Sequence, residues 1–204
     1  PATQMDSRFD FVLFGRGLAD SRGVEYVGLA GTPYSTTTWN DPNHSYRCWG
    51  NDGGSFDTPL RTTANTMVGP TIAQALIASV NNNGHLPVFV DVRVPGKLKL
   101  NRTRLDFGKV RLGTTATLAL DVANVADLKL WGPNGITPLT YDVVLPTTMS
   151  LSTAPRRLFA RRQPFRHLVR FNPTVRGVQA GTVTITSDDP DAPSVALPWT
   201  ATVL

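Results

Sequence analysis

The chain has 204 residues, of which 41% are hydrophobic and 17% charged, and a formal net charge of +5. Its single cysteine, Cys48, excludes an intrachain disulfide and a cysteine-based zinc site. No apolar run reaches the length of a membrane span, and Pro1-Ala2-Thr3-Gln4-Met5-Asp6 has neither the basic start nor the apolar stretch of a signal peptide.

Seventeen glycines and sixteen prolines, among many Thr, Val and Asn, predict a turn-rich β protein. Charge is uneven: residues 1–95 hold 6 basic and 8 acidic side chains, residues 96–204 hold 14 and 7. A net −2 half followed by a net +7 half predicts two domains, 1–95 and 96–204. Because the sequence opens on Pro1, we expect a processed piece of a longer precursor.

In the first half, Arg8-Phe9-Asp10-Phe11-Val12-Leu13-Phe14 reads as a buried strand stopped by Gly15-Arg16-Gly17, and Val24-Glu25-Tyr26-Val27 as a second. Residues 31–65 read as one long loop with Trp39, Tyr46, Trp49 and Phe56 embedded, which we expect to fill a small core. Its Asn40, Asp41, Asn43, His44, Asn51, Asp52 and Asp57 read first as turn formers and second as metal or ligand contacts. Pro70 suits a first helical turn, and Ile72, Ala75, Leu76 and Val80 follow at helical spacing, so residues 70–80 predict an amphipathic helix. Asn81-Asn82-Asn83-Gly84 ends it, and residues 86–94 read as a strand closed by Pro95-Gly96. His85 sits where loop becomes strand, either as an ordinary loop histidine or as a side chain held rigidly for chemistry.

Three segments in this order resemble the C-terminal part of secreted bacterial members of the endonuclease/exonuclease/phosphatase superfamily. They are Phe9-Asp10-Phe11-Val12-Leu13, Ser45-Tyr46-Arg47-Cys48-Trp49-Gly50-Asn51-Asp52-Gly53-Gly54, and Asn83-Gly84-His85-Leu86-Pro87-Val88. The resemblance implies half of an α/β sandwich, with His85 as general base toward an attacking water and a divalent cation such as Mg²⁺ as cofactor if activity is retained. The family's metal-holding Asp before the histidine is Gly84 here, its Glu and Asp-x-Asn strands precede anything in this chain, and Glu25 is the sole glutamate. No metal ligand set is therefore assigned, and the missing half is expected on another fragment or partner.

From residue 96 onward, short β patterns recur between turn signals. Strands are expected around Leu98-Lys99-Leu100, Leu105 to Val110, Thr115 to Val125, Leu139 to Leu145, His167 to Pro173, Gly181 to Ser187 and Ser194 to Val203. Seven strands in about 105 residues predict an immunoglobulin-like β-sandwich. Leu105-Asp106-Phe107-Gly108, Val122-Ala123-Asn124-Val125, Val169-Arg170-Phe171-Asn172-Pro173 and Gly181 to Pro190 resemble choice-of-anchor D modules, relatives of abnormal-spindle/hydin Ig-like domains. That resemblance implies spacers, adhesion units or docking surfaces on exported proteins. Phe107 and Phe171 are expected to anchor the core from opposite sheets, Gly108 and Gly113 to permit tight turns, and Asp188-Asp189-Pro190 to close a hairpin.

Arg156, Arg157, Arg161, Arg162, Arg166 and Arg170 fall within fifteen residues, interleaved with Phe159 and Phe165. The run reads as a binding patch for an anionic polymer (nucleic acid or acidic glycan), or as a charged strand edge. Taken together, the sequence predicts a mainly β chain: part of an α/β sandwich, then an Ig-like module. The expected function is a non-catalytic extracellular or cell-surface subunit of phosphodiesterase ancestry that self-associates or docks a missing fragment; head-to-tail contact of oppositely charged halves would build a filament. The alternative is a fragment of a secreted metal-dependent nuclease.

Overall fold

The computed structural model describes residue 10 and residues 12–29, 45–53, 58–160 and 163–204. The chain divides into two compact units, one drawn from Pro1–Asp20 and Glu25–Val92, the other from Ser21–Val24 and Arg93–Leu204.

The first unit is small. It contains β1 (Glu25–Tyr26), β2 (Arg47–Cys48), α1 (Gly69–Asn81) and β3 (Val88–Phe89), and β4 (Val92–Arg93) begins at its end. Pro70 lies in the first turn of α1, where its missing N–H costs nothing. Ahead of the helix, Asn65 accepts from the Met67 and Val68 N–H groups and donates to the Gly50 carbonyl. Leu60, Ala73 and Leu76 form the core, with Val68, Ile77 and Leu86 against it. β2 pairs antiparallel with β3, Arg47 opposite Phe89 and Cys48 opposite Val88.

Two expectations change here. Val12, Leu13 and Phe14 are not in a strand, and Leu13 is 91% exposed. The predicted strand over 86–94 is two dipeptide strands broken at Val90-Asp91, where Asp91 exchanges hydrogen bonds with the Ser45 hydroxyl. These strands are too short to form the faces of an α/β sandwich, and that half-fold is not seen among the described residues. Trp39, Asp41, His44, Phe56 and Asp57 lie outside them.

The second unit is a β-sandwich of two four-stranded sheets. One has the order β5 (Leu98–Leu100), β7 (Ala116–Asn124), β10 (Phe165–Phe171), β9 (Met149–Leu151). The other has β6 (Leu105–Val110), β12 (Ser194–Val203), β11 (Gly177–Ser187), β8 (Tyr141–Val144). A four-residue helix, α2 (Leu128–Trp131), is capped by Asp127. Period-two alternation sends Leu120, Val122, Val169, Phe171, Val183, Ile185 and Leu197 inward, all essentially buried. Phe107 and Phe171 meet from opposite sheets with centroids 5.2 Å apart, and Phe171 also packs on Trp199 at 5.3 Å.

Gly108 does not make the expected turn. It lies inside β6 at φ 64°, where the parallel register to β12 slips between Thr200 and Thr202, so it supplies a β-bulge. An eighth strand, β9, was not expected; three residues, Met149-Ser150-Leu151, are too short for a periodic signal.

Polar side chains close the sandwich. The Asn124 carbonyl accepts from the Lys97 and Ala126 N–H groups, and its amide donates to the Leu158 carbonyl at 3.0 Å. Asp189, 3% exposed, accepts from the Leu98 N–H at 2.8 Å, the Asp191 N–H at 3.0 Å and the Lys97 Nζ at 3.2 Å. Fully buried His167 has Nδ1 3.0 Å from the Thr153 carbonyl, an acceptor only, so Nδ1 carries the proton and Nε2 accepts from the Tyr141 hydroxyl at 2.7 Å.

Burial opposes the charged form of Asp189, but the Leu98 and Asp191 N–H groups and Lys97 outweigh it and hold the carboxyl below its usual range. Burial likewise pushes His167 down, aided by the nearby Arg156 charge. Both groups favour the fold in their high-pH form. His167's contribution is therefore complete above its unfolded pKa of about 6.5 and fades as pH falls, and that of Asp189 fades below about 3.9. We expect denaturant stability to decline in two stages on acidification. Asp189→Ala should cost about 1–3 kcal/mol at pH 7 by leaving buried N–H groups unpaired. An unchanged denaturation midpoint in that variant would contradict the role given to Asp189.

Candidate functional site

His85 follows the last turn of α1 and precedes β3. Its Nδ1 lies 2.8 Å from Asp10 Oδ2. Asp10 stands in the first motif of the hydrolase resemblance, but sequence reading gave it no role; the signal was its place in that motif, 75 residues from the histidine. With Nδ1–H donating to the carboxylate, Nε2 is presented as a proton acceptor. The side chains are 59% and 42% exposed, so solvent screens the pair. Asp10 also acts on Cys48, whose thiol is pushed up to about 11 by burial and by that carboxylate. Cys48 is thus not a thiolate near neutrality.

The residue before His85 decides what else the site can hold. A Cβ at Gly84 would sit 2.8 Å from the Ser79 carbonyl oxygen and strike the Ser79 hydroxyl. The Gly84 N–H donates to that same carbonyl at 2.8 Å, closing the end of α1. A side chain at this position forces the end of α1 to shift, and a carboxylate would in addition stand beside a carbonyl.

Asp52 and Asn51 of the second motif are engaged elsewhere. Asp52, buried, pairs with Arg61 at 2.8 Å and accepts from the Thr66 N–H. Asn51 accepts from the Gly53 N–H, the turn chemistry expected of it. Glu25 is buried beside Tyr26 on β1. Among the described residues no group of three or more His, Cys, Asp or Glu side chains converges. A hard divalent ion needs several oxygen ligands, so these residues do not fit the Mg²⁺ site of the resemblance.

The arginine run divides among different tasks. The Arg156 guanidinium lies 3.7 Å from the centre of the Phe165 ring, and Arg157 donates to the Ser21 carbonyl at 2.7 Å. Arg166 grips Asp121 with two bonds of 2.7 and 2.9 Å, which holds that carboxyl below its usual range. Arg170 is exposed on β10, opposite Thr117 and Ser150. Arg161 and Arg162 lie outside the described residues. The described arginines thus have different partners within the fold, and of these Arg166 and Arg170 share a sheet face. Lys99 on that face and Arg102 at its edge were missed because they precede the run by more than fifty residues.

No protein-family model and no curated protein matches the chain. Among solved structures it is similar to PapD-like domain 7 of human CEP192, an ASH / PapD-like domain, with 12% identity and a TM-score of 0.41, over 53% of this chain and 86% of that one. A protein of unknown function from Porphyromonas gingivalis W83 is similar at 18% identity and 0.41, over 58% of each chain. Domains 4 and 5 of the S-layer protein SbsC give 16% and 0.32, over 57% of this chain and 59% of that one. At these identities the likeness concerns fold alone, and the Ig-like sandwich stands on the strand topology above.

Gly84→Asp should therefore not rebuild a hydrolase motif. We expect it to lower stability by about 1–3 kcal/mol through overpacking against Ser79, read as a fall in melting temperature. A variant as stable as the parent would show that the α1 terminus has room for the carboxylate.

Proposed function

We propose that the chain is a non-catalytic extracellular structural or interaction subunit descended from a secreted phosphodiesterase-type precursor. The observation that carries this reading is Gly84: its hydrogen-bonded place against Ser79 excludes the carboxylate that the hydrolase pattern puts before the histidine. The engagement of Asp52 by Arg61 and Thr66 supports it. In the finer reading the second unit is a choice-of-anchor D type module, a spacer or docking body whose buried polar groups are committed to holding strands together. The opposite net charges of the two halves, −2 and +7, support self-association in series.

One observation favours the alternative, a fragment of a secreted metal-dependent nuclease. The Asp10–His85 pair at 2.8 Å is the arrangement that orients an imidazole to take a proton from water. In that case the metal-holding carboxylates come from outside the described residues.

Incubation of the purified chain with bis(p-nitrophenyl) phosphate and Mg²⁺ or Mn²⁺ separates the two. We expect no turnover above the metal blank. Metal-dependent turnover that drops by about 10²–10⁴-fold in His85→Ala would overturn the non-catalytic reading.

A further inference from the structure

Strand alternation on the β5-β7-β10-β9 sheet places three cations, Lys99, Arg166 and Arg170, on its outer face, and a fourth, Arg102, lies at the sheet's edge. Leu98 and Leu100 pack against the core, so Lys99 between them projects outward. His167, Val169 and Phe171 are buried, so Arg166, Leu168 and Arg170 project from the same side. Arg102, just past β5, bonds the edge of β7 through its Nε and the Ala119 carbonyl at 2.7 Å, and its charge reaches Asp121. Asp121 is the one carboxylate projecting from these strands, and Arg166 grips it. Three positive charges remain uncompensated there.

Mostly small side chains separate the cations. The outward positions between the cations are Thr117, Ala119 and Ala123 on β7, Ser150 on β9 and the half-exposed Leu168 on β10. Lys99 lies opposite Ala123 and Arg170 opposite Thr117. At about 3.4 Å per residue the cations extend roughly 20 Å along the strands. A duplex rises 3.4 Å per base pair, so that length matches roughly six base pairs. No aromatic side chain projects outward from these four strands, so there is no platform for an unstacked base or a sugar ring. Guanidinium forks match phosphate oxygens bidentately.

We propose that the outer face of this sheet binds the phosphate backbone of duplex nucleic acid, without reading sequence, through Lys99, Arg102, Arg166 and Arg170. This names a partner for the interaction reading above and rests on it.

The test is fluorescence anisotropy of a labelled 20-base-pair DNA duplex with the full chain, in EDTA, from 50 to 200 mM salt. With three to four phosphates neutralised, log affinity should fall against log salt with a slope of about −3. The double variant Lys99→Gln/Arg170→Gln should bind at least about tenfold more weakly and lose about 2 from the slope, with unchanged thermal unfolding. Arg111→Gln/Arg176→Gln, exposed cations outside this face, should bind as the parent does. No binding at 50 mM salt, parental binding by the first double variant, or tighter binding to heparin than to duplex at equal charge would each overturn the proposal. Cleavage of the duplex when Mg²⁺ replaces EDTA would overturn the non-catalytic reading and leave the binding face standing.

Discussion

The sandwich depends on a clamp around two residues, Lys97 and Leu98. Asn124, at the end of β7, accepts the Lys97 N–H, and Asp189, in the turn between β11 and β12, accepts the Leu98 N–H. One side chain comes from each sheet, so the clamp fixes where β5 joins its sheet and ties the two sheets at that end. Buried polar groups of this kind are specific because the alternative is an unpaired N–H in a dry core. Gly96 completes the clamp, since a Cβ there would meet the Asn124 amide at 2.8 Å and the Leu139 Cβ at 2.9 Å. Once β5 is fixed, alternation alone decides that Lys99 faces outward and that Leu98 and Leu100 reach the core.

Much of the sandwich was legible because its signal is periodic and local. Leu118, Leu120 and Val122 at every second position define the inner face of β7, and Val183 and Ile185 do the same for β11. The partner of a strand is a long-range property. Nothing local in Leu105 to Val110 announces that β6 lies parallel to β12, almost a hundred residues on. Gly108 illustrates the limit: its need for positive φ was visible, but whether that need is met by a turn or a bulge depends on the neighbouring strand.

The first unit was less legible for a physical reason. Its helix carries a 3.6-residue pattern and was readable, whereas its strands are two residues long, below the length at which alternation says anything. The Asp10–His85 pair joins positions 75 residues apart, and each motif alone named only one partner. Gly84 was visible as a lost carboxylate, but that the loss is enforced by the Ser79 backbone is a fact of three-dimensional packing. The arginine run misled in the opposite direction: sequence proximity grouped side chains that the fold sends to Phe165, Ser21 and Asp121.

The chain combines an oriented His85, a Gly84 crowded against Ser79 and a basic face on the β5-β7-β10-β9 sheet. The proposed interaction role rests on these features together. The most direct test is the intact mass and N-terminal sequence of native material together with any chain that co-purifies. The account predicts no segment supplying both a glutamate and an Asp-x-Asn pair. A co-purifying or contiguous segment that supplies them, and that confers metal-dependent phosphodiester hydrolysis, would contradict it.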